Sequence, residues 1–330
     1  MKAADMHCDT LAEIYCARKQ GKEACLASSS FHVDLDKLKA GDYGLQNFAI
    51  FTNLKENENP LEYAMELLDL FYMEMEENQD RISVVKTWKD IEENWKKGRL
   101  SAMLTIEEGG VCRGNLRILR DFYRLGVRMM TLTWDYDNEL AFPNQVFWDG
   151  PMAGTGIADT SRGLTETGLA FVEEMERLGM ILDISHLNDA GIYDVFRYAK
   201  KPFAASHSNA RAVASHPRNL TDDMIKKLAE RGGVMGINFC SAFLRDFRKR
   251  EDAESLVRDM VEHIRHIKNV GGIDCIGLGT DFDGIGGRME IDSAAGLPKL
   301  AQALEQAGFS ISEIEAVFYR NVLRLYREVL

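Results

Sequence analysis

A strand–helix–strand pattern is clearest in residues 179–207, which read GMILDISHLNDAGIYDVFRYAKKPFAASH. Two short apolar runs, Gly179–Ser185 and Pro202–His207, have the length and composition of buried strands. Between them, Asp189–Lys200 alternates apolar and polar residues with the period of an amphipathic helix. Because a helix joins the two strands, we expect them to be parallel neighbours in one sheet.

The same alternation continues in both directions from this unit, and it indicates an α/β fold. Eight strands separated by helices favour a closed (β/α)8 TIM-like barrel. An open doubly wound sheet is the alternative, although its dinucleotide-binding form would need GxGxxG after the first strand, where the chain has Met6-His7-Cys8-Asp9. The predicted strands are Ala3–His7, Gly44–Phe51, Leu100–Glu107, Val127–Trp134, Gly179–Ser185, Pro202–His207, Gly233–Phe239 and Cys275–Asp281, and the predicted helices include Leu61–Asn78, Asn115–Leu125, Glu166–Leu178, Asp189–Lys200, Asp222–Arg231, Ala253–Val270 and Ser312–Glu328.

The chain shows no convincing internal boundary, so residues 1–330 are predicted to form a single (β/α)8 barrel catalytic domain. One connection, 135–163, is unusually long and carries the aromatic residues Phe142, Phe147 and Trp148. Long loops within compact domains are often lids or pocket walls, so this loop is predicted to lie over the functional site of the domain. A surface excursion packed on itself is the alternative.

Charge and cysteine usage exclude several classes of protein. The chain has 40 Lys and Arg against 52 Asp and Glu, a net charge of −12, which argues against binding to nucleic acids or to anionic membranes. The six cysteines form no CxxC pair and are predicted to be reduced thiols. No secretory signal and no transmembrane stretch is visible in the sequence, so a cytoplasmic location is predicted.

Histidines follow three of the predicted strands, at the end where barrels of this type carry their catalytic groups. His7 is followed two residues later by Asp9, a spacing that turns both side chains to one face of a strand and suits a divalent metal. His186 and His207 end two consecutive strands and should be neighbours. Each histidine taken singly is also compatible with a structural role. Asp281 ends the last strand, which borders the first in a closed barrel, so it should face the His7 and Asp9 side chains.

The third predicted strand ends in Glu107-Glu108-Gly109-Gly110. Adjacent carboxylates after an apolar strand are costly to bury without a partner, and the two glycines allow a ligand to approach closely. Glu108 is therefore a candidate for bridging two cations, with a solvated turn as the alternative. Together, the residues at five strand ends are what two zinc-like divalent cations need.

These segments resemble the membrane (renal) dipeptidase family of binuclear zinc peptidases, in a bacterial form without secretory or lipid-anchor signals. The resemblance extends over nearly the whole chain, and its motifs occur in the order of the family. The supporting segments are Asp5–Asp9, His32–Leu35, Glu108–Gly110, Leu132–Trp134, Asp183–His186, Ser206–Ser208 with Arg218-Asn219, Gly279–Gly284 and Asn321–Arg324.

The resemblance implies a distorted (β/α)8 TIM-like barrel of the metal-dependent hydrolase type, and it implies a role for each matching residue. His7 and Asp9 would bind one zinc ion, His186 and His207 the second, and Glu108 would bridge both. Asp281 matches the family's proton-handling aspartate, and Arg218 matches the arginine that holds the substrate carboxylate, which suits a guanidinium group.

The implied reaction is metal-dependent hydrolysis of a dipeptide by a metal-bridging hydroxide, with two Zn²⁺ as cofactors. The family suggests tolerance of a C-terminal D-residue and a homodimeric assembly. Two alternatives remain open. One is a binuclear metal amidohydrolase that acts on N-acyl amino acids, lactams or lactones, and the other is a non-catalytic binding protein.

The chain departs from the mammalian pattern at Trp134, where those enzymes have a catalytic histidine, and we assign Trp134 to the substrate-binding wall. An indole has one N–H donor and no charge or acceptor, so substrate preference and rate depend on how it is placed. Asn238–Ser241 also lacks the mammalian run of tyrosines. His263 and His266 are predicted to be solvated helix residues.

Overall fold

Eight parallel strands form a closed barrel in the computed structural model, which describes residues 1–148, 152–247 and 252–330. The order around the barrel is β1, β12, β10, β9, β8, β5, β4 and β2, and it closes where β2 pairs with β1. This confirms the predicted α/β barrel over the open sheet. The barrel strands are β1 (Ala3–Asp5), β2 (Tyr43–Phe51), β4 (Leu100–Glu107), β5 (Val127–Thr131), β8 (Ile181–Asp183), β9 (Ala204–Ala205), β10 (Val234–Ile237) and β12 (Ile276–Leu278).

Helices follow most barrel strands and pack around the outside of the barrel. The major ones begin with capping side chains that the sequence supplies, such as Thr165, Asn188 and Thr221, each of which accepts a backbone N–H of the first helical turn. The helices are α1 (Thr10–Lys19), α2 (Leu35–Ala40), α3 (Pro60–Glu77), α4 (Trp88–Lys97), α5 (Leu116–Arg124), α6 (Glu166–Leu178), α7 (Asp189–Tyr198), α8 (Asp222–Glu230), α9 (Ser241–Leu244), α10 (Val257–Gly271), α11 (Pro298–Gln306), α12 (Ile311–Glu315) and α13 (Asn321–Val329).

Several short elements were not predicted. A strand β3 (Ile82–Val84) pairs with the first part of β4, outside the closed ring. Two-residue strands β11 (Glu254–Ser255) and β13 (Arg288–Met289) pair with each other, so the helix predicted from Ala253 begins only at Val257. Such short pairings depend on the partner strand rather than on local sequence period, which explains why they were missed.

The predicted loop 135–163 contains a hairpin of β6 (Gln145–Phe147) and β7 (Thr155–Ile157). Residues 149–151 of this loop lie outside the described residues. Trp148 directly follows β6, and its side chain lines a cavity at the carboxyl ends of the barrel strands.

The barrel interior is packed at its lower end and leaves room at the carboxyl ends of the strands. Tyr326 of α13 is fully buried beneath the strands, and its hydroxyl accepts a hydrogen bond of 2.7 Å from Asn47. Nearer the upper end, a Cβ atom at Gly236 or Gly279 would lie 2.1 or 1.7 Å from the carbonyl oxygen of Ser206. Only glycine therefore allows β9, β10 and β12 to approach so closely.

Within the described residues, none of the helices is both long enough and apolar enough to cross a membrane.

Candidate metal centre and active-site cavity

A cavity of about 670 Å³ opens at the carboxyl ends of the barrel strands. This volume falls in the range of roughly 300–1,000 Å³ that small-molecule sites occupy. Its floor is polar, with Asp9, Glu107, His186 and Asp281, whereas its upper walls are rich in aromatic side chains: Phe51, Tyr63, Trp134, Trp148, Phe243 and Phe247.

His7 and Asp9 converge at the end of β1, as the spacing of the two residues predicted. The Nε2 atom of His7 lies 3.3 Å from a carboxylate oxygen of Asp9 and 3.3 Å from Oε2 of Glu107. Asp281 follows β12, the strand next to β1, and its Oδ1 lies 3.8 Å from Nε2 of His7.

His186 and His207 also meet, on adjacent strands. Their Nε2 atoms lie 3.0 Å apart, and Oε1 of Glu107 lies 2.9 Å from the first and 3.5 Å from the second. Glu107 therefore has one oxygen towards each histidine group.

The structure places Glu107, and not Glu108, in this cluster, which corrects the sequence assignment of the bridging carboxylate. Glu107 is the last residue of β4 and still points into the barrel, whereas the backbone of Glu108 turns to a φ of 101°. The Glu108 carboxylate then accepts hydrogen bonds from the backbone N–H groups of Gly110 and Trp134 and from the side chain of Asn138. Glu108 thus fixes the loop after β5.

The cluster has the properties of a site for divalent metal ions. Three sets of ligand atoms lie within 4.8 Å of one another: His7 with Asp9 and Glu107, Glu107 with His186 and His207, and His7 with His207 and Asp281. Nε2 of His7 and Oδ1 of Asp9 are buried without an aligned hydrogen-bond partner. Burial and the nearby Glu107 carboxylate raise the pKa of Asp9 to about 7, because several carboxylates share this buried space. The residues present therefore fit cations held by nitrogen and oxygen ligands.

One carboxylate and one hydroxyl, to which the sequence analysis assigned no role, orient the histidines. Asp135 lies 3.0 Å from Nδ1 of His186. Ser206 Oγ lies 2.7 Å from Nδ1 of His207 and also donates to the buried carboxylate of Asp183. Both contacts leave Nε2 of each histidine free for a metal ion. The Ser206–His207 contact also shows that neighbours in sequence can meet where a strand ends, because the alternation of faces stops there.

Asp281 is held at the edge of the metal cluster by Asn238, whose side-chain amide donates a hydrogen bond of 2.9 Å to Oδ2. Burial raises the pKa of Asp281 above its usual value. Its other oxygen, Oδ1, faces His7. The side chain therefore has one oxygen fixed and one directed to the place where a reacting group would sit.

Arg218 is only 4% exposed, and its Nε and one terminal nitrogen have no hydrogen-bond partner. Burial lowers its pKa, although nearby carboxylates, first among them Asp135, oppose the shift. The guanidinium carbon lies 5.4 Å from the ring centre of Phe243, a residue of the cavity wall. A buried cation with unpaired donors is costly unless an anion joins it, so Arg218 fits a carboxylate-bearing ligand.

Trp134 lies in the cavity wall above the histidines. Its ring contacts Phe51 at a centroid distance of 4.9 Å and lies 6.1 Å from the ring of His186. The indole therefore forms an apolar face beside the metal cluster.

Of the remaining histidines, His263 differs from the sequence expectation. It is fully buried, accepts the backbone N–H of Ala210 and contacts the carbonyl oxygen of Leu244 over 2.9 Å. His266 is partly exposed and pairs with Asp222. The spacing of His263 and His266 along the helix could not reveal that α10 turns His263 towards the barrel.

Comparisons with known proteins agree with this geometry. The family model of membrane dipeptidases (peptidase family M19) matches residues 1–330. A protein described as uncharacterized from the pqqA 5' region of Klebsiella pneumoniae is 33% identical over 271 residues, which are 82% of this chain and 97% of that protein. Dipeptidase verJ of Clonostachys rogersoniana is 30% identical over 311 residues, 90% of this chain and 76% of its own.

Among solved structures, a metallo peptidase from Rhodobacter sphaeroides, bound to a phosphinate mimic of the dipeptide L-Ala-D-Ala, superposes with a TM-score of 0.87 and 25% identity. The match covers 100% of this chain and 99% of that one. A family match over the full length, together with a barrel that gathers histidines and carboxylates at its carboxyl end, leads to one conclusion: the chain belongs to the membrane dipeptidase family of metallopeptidases, peptidase family M19.

Proposed function

We propose that this protein is a metal-dependent dipeptidase that hydrolyses the peptide bond of a dipeptide with free termini. The observation that carries the proposal is the position of Glu107 between two histidine groups, with its two oxygens 3.3 Å from His7 and 2.9 Å from His186. A carboxylate in this position can serve two cations at once. The relative that was solved with a dipeptide mimic supports the choice of substrate.

In this proposal His7 and Asp9 would hold one ion, His186 and His207 would hold the second, and Glu107 would serve both. Imidazole and carboxylate ligands suit Zn²⁺, which we propose as the metal. When bound, such ions lower the pKa of water and stabilise negative charge on a carbonyl oxygen.

The protein's own residues bind the substrate and move the proton. Arg218 pairs with the C-terminal carboxylate of the dipeptide, which uses its unpaired donors and limits the length of the substrate. Asp281, held through Oδ2 by Asn238, accepts a proton on Oδ1 and returns it to the leaving amine. Trp134 forms the wall against which the substrate packs.

The loop 135–163 forms the cover of the site in this proposal, because Trp148 and Gly154 line the cavity. Such a cover keeps bulk water away from the reacting bond. Tolerance of a C-terminal D-residue, a homodimeric assembly and a cytoplasmic location stay predictions from the sequence.

The experiment is hydrolysis of a panel of L-X-L-X and L-X-D-X dipeptides by purified protein, before and after chelation and after zinc is restored, with metal content measured on the same sample. We expect cleavage that follows metal content, at about two ions per chain. Two bound ions without cleavage of any dipeptide would contradict the proposal and favour the amidohydrolase alternative, in which the aromatic walls bind an N-acyl, lactam or lactone substrate.

A further inference from the structure

The cavity is lined by carboxylates in addition to those of the metal centre. Asp9, Glu107 and Asp281 belong to that centre, and Asp283 uses its oxygens on Thr10 and on backbone N–H groups of the 32–33 turn. Two further carboxylates of the lining, Glu13 and Glu56, have no ion-pair partner among the described residues. Within the same described part of the chain, no lysine or arginine lines the cavity.

Glu13 lies one turn of α1 after Asp9, on the side of the helix that faces the cavity. Asp9, Ala12, Glu13 and Cys16 all line the cavity, and they have the spacing of one helix face. Glu13 is therefore about one helical turn, roughly 5–6 Å, further from the barrel floor than Asp9.

Glu56 reaches the same space from the loop after β2. This loop is a compact turn in which the carbonyl oxygen of Asn53 accepts the backbone N–H groups of Glu56 and Asn57. Burial raises the pKa of the Cys16 thiol, and the negative charges of Glu13 and Glu56 raise it further. The two carboxylates thus face a common region at the mouth of the cavity.

The order of the strands fixes which end of a substrate meets this region. Arg218 follows β9, whereas Glu56 follows β2, and these two strands lie opposite each other around the barrel. A dipeptide whose C-terminal carboxylate pairs with Arg218 therefore directs its N-terminal residue towards Glu13 and Glu56. Arg218 lies behind the cavity wall, against the ring of Phe243, so such a dipeptide would extend from this wall across the cavity to the two carboxylates.

We propose that Glu13 and Glu56 form a subsite that selects dipeptides with a cationic side chain, lysine or arginine, at the N-terminal position. This inference rests on the proposed dipeptidase function and specifies its substrate class. The α-ammonium group, which every dipeptide has, lies close to the scissile bond and near Asp281. A lysine side chain extends further, towards the mouth where the two carboxylates lie.

The test compares L-Lys-L-Ala with L-norleucyl-L-Ala, which has a side chain of similar length without the charge. Because exposed ion pairs contribute modestly, we expect each carboxylate to favour the lysine substrate about threefold in kcat/KM, and both together about tenfold. The preference should fall towards one in the Glu13→Gln/Glu56→Gln double variant, and it should shrink in the wild type as salt is raised. Glu230→Gln, an exposed glutamate at the end of α8, is the matched control and should keep the wild-type ratio.

Each outcome has a distinct meaning. A wild-type ratio near one, with both dipeptides hydrolysed, overturns the subsite but keeps the dipeptidase. Equal losses for both substrates in the double variant also overturn the subsite, because the carboxylates would then bind the α-ammonium group. If the zinc-loaded wild type hydrolyses neither dipeptide nor any other member of the panel, the proposed function itself fails.

Discussion

Asp135 lies 3.0 Å from Nδ1 of His186 and also accepts the indole N–H of Trp148. One carboxylate thus joins a metal-ligand candidate to the hairpin loop that lines the cavity. The contact holds the imidazole in the orientation that leaves Nε2 for a metal ion, and it connects the position of the loop to that orientation.

Replacing Asp135 with Asn should weaken metal binding at the His186 side of the centre. Partners of this kind commonly contribute about 10- to 100-fold to metal affinity, so we expect a loss of that size for the more weakly held ion. Competition with a chromophoric chelator measures it. Asp137→Asn is the control, because Asp137 pairs with Arg162 at the surface. An unchanged affinity in Asp135→Asn would show that the contact does not orient the ligand.

Substitution should distinguish the roles of the two adjacent glutamates, Glu107 and Glu108. Loss of a residue that only orients a metal ligand lowers metal affinity by about 10- to 100-fold. Because Glu107 is itself a ligand candidate, we expect Glu107→Gln to lower metal affinity by at least about 100-fold. Glu108→Gln should retain the metal but lower the free energy of unfolding by about 1–3 kcal/mol, because its carboxylate accepts three N–H donors. Metal content and urea denaturation of both variants distinguish these effects. Metal loss in Glu108→Gln with full retention in Glu107→Gln would restore the original assignment.

Arg218→Met should stabilise the protein while it removes activity. The substitution eliminates a buried cation with two unpaired nitrogens, so we expect the free energy of unfolding to rise by about 1 kcal/mol. For a dipeptide with a free carboxylate, kcat/KM should fall by about 10²–10³, as for other buried charge pairs. A C-terminally amidated dipeptide is the control substrate, because wild type and variant should cleave it at similar rates. Parallel losses for both substrates would argue against carboxylate binding by Arg218.

The buried His263 should make the fold sensitive to acid. Burial lowers the pKa of His263 to about 4 in the folded protein, against about 6.5 in the unfolded chain. The unfolded chain therefore binds more protons between these values, and stability is lost as pH falls from about 6.5 to 4, by at most about 3 kcal/mol. His263→Gln, which keeps one acceptor and one donor, should show a shallower fall in urea midpoint over this range. The metal centre is common to both proteins, so its own response to acid cancels. Equal slopes would contradict the prediction.

The barrel was predictable because most of its strands are short apolar runs followed by a helix, as Gly179–Ser185 and Asp189–Lys200 show. The ends of the strands were less predictable, since the observed β8 already ends at Asp183. Beyond that point the backbone turns, and His186 and Asp281 have positive φ angles of 68° and 62°. Side chains there no longer follow the period of two that assigns faces in a strand.

The convergence of His7 and Asp9 followed from their spacing of two residues, and that of His186 and His207 followed from topology, because parallel strands present their carboxyl ends at one side. The choice between Glu107 and Glu108 did not, because it depends on one backbone turn. Asp135 and Ser206 were missed for a similar reason: an aspartate or serine in a loop carries no signal until the histidine it contacts is placed.

The ligand candidates are also spread along the chain in a way that matters during synthesis. Because synthesis runs from the amino end, His7 and Asp9 are made before Asp281, which follows Asp9 by more than 270 residues. The strand before Asp281, β12, is also the one that closes the barrel against β1. A nascent chain that ends before β12 therefore contains His7 and Asp9 but lacks both Asp281, which we propose as the proton-transfer group, and the strand that closes the barrel. We therefore expect no peptide-cleaving activity from a chain that ends before β12.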